Sequence, residues 1–91
     1  MAMFVALVTF VDDQQRRLAI RPQHREYLRS LLDQGKLHES GPFADDKGAL
    51  IIYEAADEAE ARALVEADPY TVAGVIAEVH LREWNRVLPA P

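Results

Sequence analysis

A chain of 91 residues without cysteine leaves no room for a second hydrophobic core and excludes disulfides and thiolate chemistry. A formal net charge of −5 with no basic stripe argues against a nucleic-acid partner, because phosphate neutralisation needs clustered Lys and Arg. With 49% hydrophobic and 27% charged residues, and no apolar run near the roughly 20 residues of a membrane span, the expectation is one soluble domain over residues 1–91, cytoplasmic by default and without membrane contact.

Met3–Val11 is almost unbroken apolar sequence rich in Val and Phe, which predicts a strand covered on both faces and central in its sheet. The apolar start carries no basic flank or small-residue cleavage pattern, so it reads as a strand rather than a signal peptide. Asp12–Ile20 opens polar, and Arg21-Pro22 sets a helix start near Arg21, since proline suits a first helical turn and disrupts an interior. Tyr27, Leu28, Leu31 and Leu32 then form the inward face of this helix, and Gly35 stops it. Leu37–Ser40 is a short strand, and Gly41-Pro42 either breaks it or marks an edge bulge. Asp45-Asp46-Lys47-Gly48 is a turn in which Gly48 is the candidate for positive φ, and Ala49–Glu54 is the next strand.

Asp57 and Glu60 have the spacing of a capping box. The helix that follows presents Ala59, Ala63, Leu64 and Ala67 as a small-residue face and runs to about Ala67, where Asp68-Pro69 ends it. After a short segment, Tyr70–Gly74, the last strand is Val75–Trp84, with Ala77, Val79 and Leu81 alternating against Glu78, His80 and Arg82. The order strand, helix, strand, strand, helix, strand is that of an α+β, ferredoxin-like βαββαβ sandwich, with both helices on one face of a four-stranded antiparallel sheet. Its other face is too apolar in the first and third strands to stay in water, so the expected partner is a second copy, in a homodimer.

Chemistry concentrates on few residues. His24 shares the inward face with Tyr27, Leu28 and Leu31, and is placed in the first turn of its helix. It is either a core histidine satisfied by a carbonyl or an acid–base group. Asp68 at a helix C-terminus is disfavoured by the dipole by up to ~1 kcal/mol. It either bonds its own backbone in an Asp-Pro turn or orients His24. Arg17 and Arg21 flank the stretch before His24 and suit a bound carboxylate or phosphate. Ser40, Gly41 and Tyr70 supply hydroxyls and close approach for a pocket wall. His38 and His80 lack ligand spacing and read as solvated strand positions, so neither metal nor cofactor is expected. Trp84 packs against the last strand or a dimer seam.

Arg17-Leu18-Ala19-Ile20-Arg21-Pro22-Gln23-His24, Gly35-Lys36-Leu37, Ser40-Gly41-Pro42 and Ala67-Asp68-Pro69-Tyr70 together resemble the YciI (YCII-related) family over Met3 to Trp84. The R-P-x-H and A-D-P-Y segments carry the likeness as a pair. It implies a dimeric α+β barrel with His24 and Asp68 as the active-site pair. It also brings relatives of similar architecture, among them a chlorinated-aromatic dehydrochlorinase and muconolactone-isomerase-like barrels that move protons on small organic acids. A short Phe43–Gly48 loop departs from the family and implies a more open pocket. Two functions stand: a cofactor-independent lyase, isomerase or hydrolase acting on a small anionic or aromatic molecule, or a binding domain that holds such a molecule without converting it.

Overall fold

The computed structural model of the chain describes residues 1–90. Strand β1 (Ala2–Phe10) lies between β3 (Gly48–Ala55) and β4 (Ile76–Trp84), with β2 (Leu37–Pro42) outside β3, and every neighbouring pair is antiparallel. Period-2 alternation divides the sheet. Phe4, Ala6, Val8 and Phe10 of β1 and Ala49, Ile51, Tyr53 and Ala55 of β3 are buried under the helices, while Val5, Leu7, Leu50 and Ile52 turn to the opposite face. This is the ferredoxin-like α+β arrangement expected from the element order.

The first helix differs from expectation. Helix α1 spans Gln14–Asp33 and keeps Pro22 inside it, so it starts seven residues before Arg21. Asp13 is the N-cap and its side chain accepts from the Arg16 N–H at 3.1 Å, which fixes the first turn in spite of the polar composition there. Pro22 removes only the N–H that the Leu18 carbonyl would accept, and it sits on the solvent side. Gly35, at φ +74°, ends the helix: Lys36 N–H reaches the Leu31 carbonyl at 2.8 Å and Gly35 N–H the Leu32 carbonyl at 3.1 Å. Leu28 and Leu31 are buried as the spacing predicts, but Leu32 is exposed.

Strand β2 continues through Gly41-Pro42, since an edge strand tolerates a missing donor. In the β2–β3 turn the residue at positive φ is Asp46 (φ +59°), not Gly48. Gly48 is required for another reason: a Cβ there would run into the Val8 carbonyl oxygen of β1. Helix α2 (Glu58–Glu66) is capped by Asp57, which accepts from the Glu60 N–H at 2.9 Å. Its buried residues are Ala61 and Val65, with Leu64 partly buried. Ala59, Ala63 and Ala67 face water, so the small-residue face is the outer one apart from Leu64. A one-turn helix α3 (Pro69–Val72) follows, with Pro69 at its first position and Asp68 as its N-cap.

Candidate active site

On α1, residues 17, 21, 24, 28 and 31 step by four, three, four and three, which aligns them on one stripe facing the sheet. Leu28 and Leu31 fill the core end of that stripe. Arg17 and His24 continue it as buried polar residues, 3% and 8% exposed. His24 therefore lies about three turns into α1, far from the helix N-terminus, rather than in the first turn expected for it.

Asp68 is 1% exposed and sits at the start of α3, where the helix dipole favours a carboxylate rather than opposing it. Its Oδ1 accepts from the Tyr70 backbone N–H at 2.9 Å and pairs with His24 Nδ1 at 2.7 Å. The turn-forming and histidine-orienting roles weighed for Asp68 thus coexist in one oxygen. A carboxylate facing Nδ1 holds that nitrogen protonated and leaves Nε2 as the ring nitrogen without a partner among the described residues. The Tyr70 ring stacks on His24 with centroids 3.8 Å apart and planes 8° from parallel, and meets Phe10 edge-on at 5.6 Å. The imidazole is held by a carboxylate at one edge and by an aromatic plane on one face.

The Asp68 charge also reaches the core tyrosines. Burial, then Asp68, pushes the Tyr27 hydroxyl above its ordinary pKa, and the same causes act more strongly on Tyr53. Tyr27 stays protonated, its hydroxyl donating a hydrogen bond to the Leu64 carbonyl at 2.7 Å. Burial raises Tyr70 as well, against the pull of Arg17 beside its hydroxyl and of Arg21 and Arg25 nearby.

In front of His24 lies a cavity of about 220 Å³, open to solvent on one side. His24, Arg17, Arg21, Ser40, Gly41 and Tyr70 all line it, while Asp68 stands behind His24 out of its reach. Two charged residues that sequence reasoning passed over also line it, Arg25 and Asp46. Asp46, on the short β2–β3 loop, accepts from Arg17 at 2.7 Å and from Gln14 Nε2 at 3.3 Å, and the Arg17 guanidinium lies 4.4 Å from the centre of the Phe10 ring. Arg17 holds the Asp46 carboxyl below its usual range, the hydrogen bond acting ahead of the charge itself. The loop is thus strapped to α1 and forms one wall of the pocket. Arg25 was legible: Arg17, Arg21 and Arg25 recur at i, i+4 and i+8, and neither Arg21 nor Arg25 has an acid three or four residues away. Asp46 carried no such signal. No group of three metal-ligating side chains occurs among the described residues, and no helix there is long and apolar enough to cross a membrane.

Helices on one face of a β2-β3-β1-β4 antiparallel sheet define a ferredoxin-like α+β protein. The chain belongs to the YCII-related domain family, whose model matches residues 2–85. Protein YciI of Escherichia coli and that of Shigella flexneri are each 34% identical to it over 86 residues, spanning 84% of this chain and 88% of theirs. Among solved structures it is similar to 5-chloro-2-hydroxyhydroquinone dehydrochlorinase from Burkholderia phenoliruptrix, determined in complex with 2,5-dihydroxybenzoquinone. That likeness has a TM-score of 0.82 at 26% identity and covers 98% of this chain and 99% of the other. A Nitrosomonas europaea protein assigned provisionally as an antibiotic biosynthesis monooxygenase shares the fold, with a TM-score of 0.60, 20% identity and coverage of 99% and 95%.

Proposed function

We propose that the chain is a cofactor-independent enzyme in which His24, oriented by Asp68, moves a proton on a small, planar, anionic substrate, and that its working form is a homodimer. The observation that carries this reading is the 2.7 Å contact between His24 Nδ1 and a 1%-exposed carboxylate, with the other ring nitrogen left free beside a cavity. Nε2 takes a proton from substrate carbon or oxygen, the electron pair left behind moves into the conjugated system, and Asp68 stabilises the imidazolium. Return of the proton elsewhere gives an isomerisation. Loss of a leaving group with its electron pair gives an elimination.

Size and charge support the substrate class. A cavity of about 150 Å³ admits a benzene ring, and drug-sized ligands need roughly 300 Å³ or more, so 220 Å³ suits one substituted ring. Three arginines against one aspartate in the lining give the pocket a positive balance inside an acidic protein. The dehydrochlorinase supports the same reading, since its bound quinone is a single oxygenated ring.

The test is a screen of chlorinated hydroxyquinols and small ring carboxylates, with chloride release and absorbance as readouts, on wild type and His24→Ala. On any substrate the wild type converts, His24→Ala should lose about 10²–10⁴-fold in kcat. Turnover retained by the variant ends the assignment. A variant that changes affinity alone, with no conversion by either protein, favours the binding domain.

A further inference from the structure

The three guanidiniums at the pocket are not equivalent. Arg17 is buried, lies against Phe10 and is bonded to Asp46, so its charge is neutralised within the protein. Arg21 and Arg25 stand one turn apart on the flank of α1 that forms the cavity rim, half-buried and exposed respectively, and no salt bridge engages either among the described residues. Like charges at i, i+4 oppose helix formation, and Arg17, Arg21 and Arg25 stack two such pairs in succession. By contrast Arg29, the next residue in the row, has Asp33 four positions on and does not line the cavity. Of the four arginines in the row, Arg21 and Arg25 are the two with no acid three or four residues away.

We propose that Arg21 and Arg25 form a paired guanidinium clamp that selects the substrate by gripping a planar two-oxygen anion, a ring carboxylate or its enolate equivalent, at the rim of the His24 cavity, with Arg17 held back as structure by Asp46. This deepens the proposed function and rests on it only in placing the ligand in that cavity. Guanidiniums match a planar carboxylate through parallel N–H donors, and two of them spaced by a helical turn, about 5–6 Å between Cβ atoms, reach both oxygens. Leu28 and Ile51 supply an apolar floor for the ring, and the anion turned toward the rim leaves the opposite edge of the ring toward His24.

Benzoate and its neutral counterpart benzamide, titrated separately into the full chain by calorimetry and followed by amide shifts along α1, test the clamp without needing turnover. Wild type should bind benzoate more tightly than benzamide. Arg21→Gln and Arg25→Gln should each weaken benzoate about five- to tenfold and leave benzamide unchanged. Arg62→Gln, on the outer face of α2, is the control and should change neither. Equal affinity for the two compounds in the wild type, no benzoate binding, or an Arg25→Gln that keeps full benzoate affinity would overturn the clamp. A His24 without catalytic role leaves these binding results as they are, so failure of the proton-transfer reading is seen separately, as turnover surviving His24→Ala.

Discussion

Asp68 decides between structure and chemistry because one of its oxygens serves both. Asparagine caps a helix about as well as aspartate, whereas alanine loses about 1 kcal/mol at such a position. Asparagine cannot supply the negative charge, and its amide nitrogen can turn toward His24 and reverse the ring tautomer. Asp68→Asn should therefore keep near wild-type stability in urea and lose turnover about as far as Asp68→Ala, with alanine alone about 1 kcal/mol less stable. An Asp68→Asn enzyme as active as the wild type would reduce Asp68 to a helix cap. The pair itself was legible in the sequence, through the R-P-x-H and A-D-P-Y segments, and so was the inward stripe that holds His24. The N-cap role was not, because α3 is a single turn and Asp68-Pro69 looks the same at the end of one helix as at the start of another.

At the scale of elements, the β2–β3 loop shows what a linear reading leaves out. The Arg17–Asp46 pair spans 29 residues, and nothing near either residue announces it. Both strands around the loop were predicted, yet the loop's shortness suggested an open pocket rather than a wall tied to α1. The start of α1 was misplaced for a related reason: proline is a strong local signal, and Asp13 with the anchored Arg17 outweighs it. The sign of the strap's pH dependence follows from Asp46. Its folded pKa lies below the ordinary 3.8, so the contribution is present above that value and is lost as pH falls through the lower, folded one. The Arg17 side-chain NMR signal should titrate with a midpoint below 3.8, and Asp46→Asn should remove that transition. A midpoint at or above 3.8, or the same transition in Asp46→Asn, would mean that solvent rather than Arg17 sets this carboxyl.

The whole molecule raises the question of what covers the second face of the sheet. A monomer of 10.2 kDa is expected to expose about 5,300 Å², and this chain exposes 5790 Å², part of it along the extended stretch after Trp84. Leu7 at 44% and Trp84 at 42% exposure lie with Val5, Leu50 and Ile52 on one continuous surface, opposite the helices, where a sheet of a small domain has nothing else to bury it. A stable dimer removes roughly 800 Å² from each partner. Leu7 is on the central strand, so a charge there meets the same charge or its apolar surroundings on a symmetry mate, while the half-exposed position tolerates it within the subunit. Wild type should sediment as a dimer at micromolar concentration and Leu7→Asp as a folded monomer with native circular dichroism. A monomeric wild type would sink the homodimer, and a Leu7→Asp dimer would move the interface to another surface. Because the His24 cavity lies on the helix side, away from this face, a monomeric Leu7→Asp that still binds benzoate would show that one subunit completes the pocket.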